Sequence, residues 1–294
     1  MAAEQLNPIR IAENQAIKLA GARRIGLGCM ALTGIYGAIS RKQAIATLHA
    51  ALDQDVTLFD TAPLYGNGEN ELLLGHVLGG HHDATIVTKF GLYADSAGKL
   101  YHDSRPKTVR LSVEASLRRL KRDRIDVLIQ HRVDPDTAID EVQECIVDLI
   151  AAGKVGEFGI SNVSAGEISR LPMGVPLSVV QNELSLVTGA KDAECEAATA
   201  RSAAFMAYSP LGRGILTGSK PFRADDFRTS MTAFAQPPAA TDPWDDESNL
   251  QMAAGEGYSL GQALDWVLAQ GENVVAIPGC RSPSHVLEVF SRRE

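Results

Sequence analysis

The feature that most constrains this chain is a regular alternation of short apolar, β-branched runs with longer stretches of helical periodicity. Arg24 to Gly28, Val56 to Asp60, Thr85 to Lys89 and Asp126 to Gln130 read as strands. So do Val155 to Ser161, Leu177 to Gln181, Ala204 to Tyr208 and Val274 to Pro278. A helix is predicted after each. Ser40 to Gln43 has the form of a capping box opening one of them. Pro106 suits the first turn of another, whose stripe is Val109, Val113, Leu117 and Leu120. Gly153 is placed to close a third, over Ala138 to Ala152. Short apolar strands parted by helices require a parallel sheet buried on both faces. Eight such units favour an α/β fold of the closed (β/α)8 or TIM-barrel type over an open sheet, and the 294 residues suit one barrel domain, 1–294. Ile9 to Leu19 is read as a hairpin closing the barrel's bottom. Ser209 to Asn249 is rich in Pro and Gly, with Pro237-Pro238 and Thr241-Asp242-Pro243 as loop signals. It follows a strand, so a long loop at about 209–250 is expected over the C-terminal face.

Composition narrows the function. Hydrophobic residues at 45% supply a core, yet no apolar run is long enough to span a bilayer. Met1 to Ile11 lacks the apolar region of a secretory signal. A net charge of −8 gives no basic field for tracking nucleic acid, and the cations Arg118, Arg119, Lys121, Arg122 and Arg124 read as a solvated helix end. The four cysteines, Cys29, Cys145, Cys195 and Cys280, show no zinc or disulfide spacing. The expectation is a cytoplasmic protein, a monomer by default, with a small molecule as its partner and neither nucleic acid nor membrane.

Polar residues at the C-terminal ends of barrel strands are the candidates for chemistry. They are Asp60, Lys89, Gln130 with His131, Ser161 with Asn162, Gln181 with Asn182, and Tyr208 with Ser209. Each alone could be a cap or a satisfied polar group; polar groups at six consecutive strand ends are harder to explain so. Asp60, Lys89 and His131 would converge in one mouth, and Tyr65 follows in the glycine-rich loop FDTAPLYGNGENE. A lysine cation beside the phenol would lower its pKa, and Asp60 would keep that lysine charged and placed. A neutral His131 could donate to a carbonyl oxygen. Such a group of four suits protonation of an oxygen that becomes an alkoxide. It carries no hydride, so a cofactor must.

With FDTAPLYGNGENE, IVTKFG, DVLIQHRVDP, GEFGISNVS, VVQNELSLV, AYSPLGRGILTG and IPGCR in this order, the sequence resembles the aldo-keto reductase family over nearly its whole length. The resemblance implies an NADP(H)-dependent oxidoreductase acting on an aldehyde or ketone, or in reverse on an alcohol. It makes Tyr65 the general acid, tuned by Lys89 and Asp60, with His131 orienting the carbonyl. It gives Ser161, Asn162 and Gln181 to the nicotinamide carboxamide and Tyr208 to stacking on the nicotinamide ring, with Met30 and Asp60 also at the cofactor. Ser209, Leu211, Gly212 and Arg213 would wrap the pyrophosphate. Arg281 would meet the adenosine 2′-phosphate, and Gly279, His285 and Glu288 would make the remaining adenosine contacts. The sequence departs from the family at Val289, where an asparagine usually follows the glutamate, and at Ser282, where a second arginine is common. Met231 to Phe234 also lacks the arginine that usually follows a segment like Asp226-Phe227-Arg228. Leu32, Ile35, Tyr36, Leu92 and Tyr93 are expected to line the substrate pocket.

Three rival readings are weaker. Gly26-x-Gly28-x-x-Ala31 loosely matches a dinucleotide fingerprint, but the residues that follow read as loop where that motif needs a helix. A non-catalytic NADP(H) sensor on the same fold would not need an acid with its tuner. A metal-dependent hydrolase would need converging ligands, and His81-His82 precede a strand, at the opposite end from His131.

Overall fold

The computed structural model describes residues 18–172, 174, 176–217 and 258–291. Its elements follow the alternation: β1 (Leu27–Gly28), α1 (Arg41–Asp53), β2 (Leu58–Asp60), α2 (Glu69–Leu78), β3 (Thr85–Phe90), β4 (Leu92–Ala94), β5 (Leu100–His102) and α3 (Pro106–Leu120). Then come β6 (Ile125–Gln130), α4 (Ile139–Ala151), β7 (Val155–Ser161), α5 (Ala165–Arg170), β8 (Leu177–Glu183), α6 (Asp192–Ala200), β9 (Ala204–Tyr208), α7 (Leu260–Leu268), β10 (Val274–Ile277) and α8 (Pro283–Phe290). β4 and β5 form an antiparallel hairpin; the other eight strands form one parallel sheet in the order β1-β2-β3-β6-β7-β8-β9-β10. Parallel bridges from Ile25 to Ala276 and Gly28 to Gly279 join the two edges, with Gly26 N donating to Ala276 O at 2.9 Å. The fold is a closed (β/α)8 barrel.

Two packed layers hold it together. Leu27, Phe59, Ile86, Leu128, Phe158, Val180 and Phe205 point outward into a layer shared with the helices. Leu58, Val87, Val127, Ile129, Val179, Met206 and Ile277 point inward and fill the barrel. Leu19 and Ala20, on a short helical stretch before β1, join that inner layer. Lys18 pairs with Glu157 near the start of β7, which puts this stretch at the barrel's bottom. Residues 9–17 of the expected hairpin lie outside the described residues, and the stretch 18–20 is helical where a hairpin was expected. Most of the expected loop at 209–250, with residues 226–234, also lies outside them.

Helix ends show where local chemistry was read well and where it was not. Gly153 does follow α4 in a left-handed conformation, at φ 71°. At α1 only half of the capping box forms: Ser40 Oγ accepts from Gln43 N, but the Gln43 amide donates to the Arg281 carbonyl at 2.8 Å. Complete boxes occur instead at Ser164 with Glu167 and Ser259 with Gln262. The β4–β5 hairpin is an insertion that the alternation hid. Its turn is built on Asp95, whose carboxylate accepts from Ala97 N and Lys99 N at 2.9 Å each. No described helix is long and apolar enough to cross a membrane.

Candidate active site

Side chains alternate along a strand, so one step of two residues fixes which groups enter the mouth. Two residues beyond the inward-facing Leu58, Val87, Ile129, Val179 and Met206 lie Asp60, Lys89, His131, Gln181 and Tyr208. Ser161 stands in the same relation to Gly159. The register thus stacks these six residues at the C-terminal end of the barrel. By the same rule Gln130 faces outward, where it donates to Ser104 Oγ at 3.0 Å. Asn182 clasps Val163 through both its amide atoms, at 3.1 and 2.6 Å, and serves the β7–α5 turn rather than the mouth.

Tyr65 arrives from a loop. After it, Gly66, Asn67 and Gly68 have φ of 61°, 51° and 92°, three successive left-handed residues that turn the chain back into α2. At Gly68 a Cβ would also stand 2.9 Å from Arg119 Cδ, so that side chain would have to shift. The loop is pinned by buried Asn70, whose Oδ1 accepts from the Thr61 hydroxyl at 2.6 Å and whose Nδ2 donates to Cys29 O at 2.9 Å. Glu71 next to it is fully buried and bridges the Thr88 hydroxyl to Arg119. Asn70 and Glu71 close the motif FDTAPLYGNGENE, but their part in supporting the loop was not read from sequence.

At the centre is Lys89, 1% exposed. Its Nζ donates to Asp60 Oδ1 at 2.8 Å, to Asp60 Oδ2 at 2.7 Å and to Thr61 O at 2.8 Å, and lies 3.3 Å from Tyr65 Oη. Gln181 Nε2 donates to Asp60 Oδ1 at 2.7 Å. The His131 ring meets the Tyr65 ring edge-on, centroids 6.0 Å apart. The four expected catalytic residues therefore do converge.

Their electrostatics correct one expectation. Burial pushes the Tyr65 phenol well above its ordinary value, and the Asp60 charge pushes it further; Arg132 opposes them. The lysine was expected to lower it. The phenol nonetheless lies above its ordinary value, because burial and the Asp60 charge outweigh the cations beside it. Burial likewise pulls Lys89 below its ordinary range, against the charge and hydrogen bonds of Asp60. His131 is held well below its usual value, first by burial and then by Lys89 and Arg132. At neutral pH the phenol carries its proton and the imidazole is uncharged.

Around the rim, Tyr208 Oη donates to Asn162 Oδ1 at 2.6 Å, and Asn162 Nδ2 donates to Ser161 Oγ at 2.6 Å and approaches His131 O at 3.4 Å. Asn162 sits at φ 59°. Past Tyr208 the backbone is left-handed at Ser209, Gly212, Arg213 and Gly214, with Leu211 buried between them. Arg213 is held fork to fork by Glu183, at 3.1 and 2.9 Å. Met30 lies in the short 3-10 turn that follows β1. Arg281 does not extend freely: its guanidinium donates to the carbonyls of Tyr36, Gly37 and Ala38 at 2.6, 2.7 and 2.9 Å. Gly279 is exposed beside it, and His285 and Glu288 share an exposed face of α8. The two departures near this end have local roles. Ser282 caps α8 by accepting from His285 N, and Val289 is buried in the core.

Comparison with known proteins bears on this geometry. A model of the aldo/keto reductase family matches residues 24–293. A probable aldo-keto reductase of Glycine max is 33% identical over 95% of this chain and 82% of its own length. The aldo-keto reductase yakc of Schizosaccharomyces pombe, named for NADP(+), is 30% identical over 90% of this chain and 82% of its own. Among solved structures, the glycerol dehydrogenase AKR11B4 of Gluconobacter oxydans superposes with a TM-score of 0.76 at 33% identity, covering 91% of this chain and 85% of that one. An aldo/keto reductase of Klebsiella pneumoniae in complex with NADP and acetate gives 0.66 at 25% identity, covering 91% and 84%.

Proposed function

Since this chain belongs to the aldo/keto reductase family, we propose that it passes hydride between NADPH and the carbonyl carbon of an aldehyde or ketone, with Tyr65 giving the proton to the oxygen. The chain is an oxidoreductase that works with NADP(H), the cofactor in the name of the yeast relative and in the Klebsiella complex. The observation that carries the finer reading is the buried Lys89 ammonium, clamped by Asp60 and 3.3 Å from the Tyr65 hydroxyl.

The residues of the mouth fit the cofactor. Ser161, Asn162 and Gln181 offer a hydroxyl and two amides, the donor and acceptor set a carboxamide needs, beside the Tyr208 ring. The left-handed backbone from Ser209 to Gly214 is of the kind that turns amides toward an anion. When bound, NADPH supplies the hydride.

The protein's own groups supply the rest. Tyr65 holds a proton through neutral pH at the place where the substrate oxygen gains charge. Neutral His131 donates a hydrogen bond to the same oxygen and so fixes its position. Lys89, held by Asp60, stands ready to stabilise the phenolate that remains. In alcohol oxidation the same groups run backwards, with Tyr65 as the base. The test is NADPH consumption with an aromatic aldehyde, run beside Tyr65→Phe.

Arg281 gives a separate check on cofactor choice. A guanidinium fork suits a phosphate, and Arg281 stands just before α8, whose exposed face carries His285 and Glu288. Arg281→Ala is expected to weaken NADPH binding about tenfold or more, the loss typical of a charge-assisted hydrogen bond, and NADH binding by less than about threefold. Quenching of protein fluorescence by each cofactor measures both. Equal losses would remove Arg281 from the 2′-phosphate.

A further inference from the structure

We propose that Arg132 sets substrate choice: its guanidinium receives a carboxylate or phosphate carried by the carbonyl compound, at a point separate from the reacting carbonyl. This rests on the reductase reading above and adds a substrate class to it.

Arg132 follows His131 directly, so it leaves β6 at the rim of the same mouth. It is half-buried, and its Nη1 turns back to donate to His131 O at 3.3 Å. Asn162 Nδ2 approaches that same carbonyl at 3.4 Å, and Asn162 in turn holds Tyr208. The His131 carbonyl is thus shared by the Arg132 guanidinium and the Asn162 amide.

Charge accounting singles it out. The mouth's other cations are matched: Lys89 by Asp60, Arg213 by Glu183. Arg281 is spread over three carbonyls. Arg132 has no carboxylate within ion-pair distance among the described residues, and the carbonyl it touches takes up one of its five donors. Its field also reaches the reacting groups. At Tyr65, Tyr208 and His131 burial is the leading influence, and Arg132 is among the charges felt at each. A half-buried guanidinium with free donors and no counter-charge is a receptor for an oxyanion. Tyr65 and His131 are committed to the carbonyl oxygen, so the oxyanion belongs to another part of the substrate.

The experiment pairs substrates that differ in charge and little else. 4-Carboxybenzaldehyde is compared with its methyl ester, and glyceraldehyde 3-phosphate with glyceraldehyde, in wild type, Arg132→Met and Arg132→Lys. In wild type the anionic partner is expected to have a KM about tenfold lower or more, with kcat little changed. Arg132→Met should erase that advantage, bringing the KM ratio of each charged and neutral pair close to one whatever it does to the kcat both share, and Arg132→Lys should restore part of it. A gain confined to the carboxylate, or to the phosphate, names which oxyanion the pocket takes. An advantage that survives in Arg132→Met would mean the anion sits on Tyr65 and His131 and would overturn the proposal, as would no advantage in wild type. Calorimetric titration of acid and ester, with and without NADP+, separates this outcome from failure of the reductase reading. Acid binding that depends on Arg132 without turnover would uphold the pocket and sink the reaction. Acid and ester binding alike, or neither binding, would overturn the pocket whatever the turnover.

Discussion

Tyr65→Phe is expected to lower turnover of an aromatic aldehyde by about a hundredfold or more, while NADPH affinity moves by less than about twofold. The substitution removes one oxygen and keeps the ring. The ring's edge-on contact with His131 and its place over the mouth should therefore survive. What is lost is the proton donor that lies 3.3 Å from Lys89 Nζ. A placed general acid contributes about 10²- to 10⁴-fold. The Asp60–Lys89 pair remains, so folding should be little disturbed, and the thermal midpoint checks that. A variant that retains most of its rate, with the fold intact, would take the acid role away from Tyr65.

Lys89→Met is expected to cost both activity and stability. In wild type the ammonium is 1% exposed and satisfies both oxygens of a carboxylate that is itself buried. Breaking a buried pair from one side leaves an uncompensated charge and costs about 3–5 kcal/mol. Gln181 still donates to Asp60 and offsets part of that. Removing both charges should cost less than removing one, so the double variant Asp60→Asn, Lys89→Met is expected to be more stable than Lys89→Met alone. Urea midpoints of the two single variants and the double measure the coupling. Additive losses would show that the pair is not the unit that holds the mouth. The two variants without Lys89 should be nearly inactive, since Tyr65 then lacks its neighbour.

Much of the fold was legible because the barrel imposes two periods at once. The β7 and β9 bounds, Val155–Ser161 and Ala204–Tyr208, could be read residue for residue, since apolar runs there end on polar groups. The β4–β5 hairpin was not, because its strands are short and interrupt a strand-to-helix connection. The same periods explain the site. Asp60, Lys89, His131, Ser161, Gln181 and Tyr208 share inward parity, which a sequence shows once the strands are placed. Direction beyond a strand end is not encoded so simply. Asn182 turned to Val163, and Arg281 turned to the carbonyls of residues 36–38. The electrostatic reading failed at one point for a related reason. From sequence, Lys89 is a cation placed by Asp60 beside a phenol; in three dimensions burial, which the motif does not show, together with the Asp60 charge decides where Tyr65 titrates.

The most direct test of the central claim is transfer itself: the protein is given NADPH deuterated at the reactive carbon of the nicotinamide, with an aromatic aldehyde, and the alcohol is examined by NMR. Deuterium on the carbinol carbon, in step with loss of NADPH absorbance, is the result predicted here. NADPH that binds, by fluorescence, yet passes no deuterium to any of a panel of neutral and anionic aldehydes and ketones would contradict it and leave a barrel that holds the cofactor without using it.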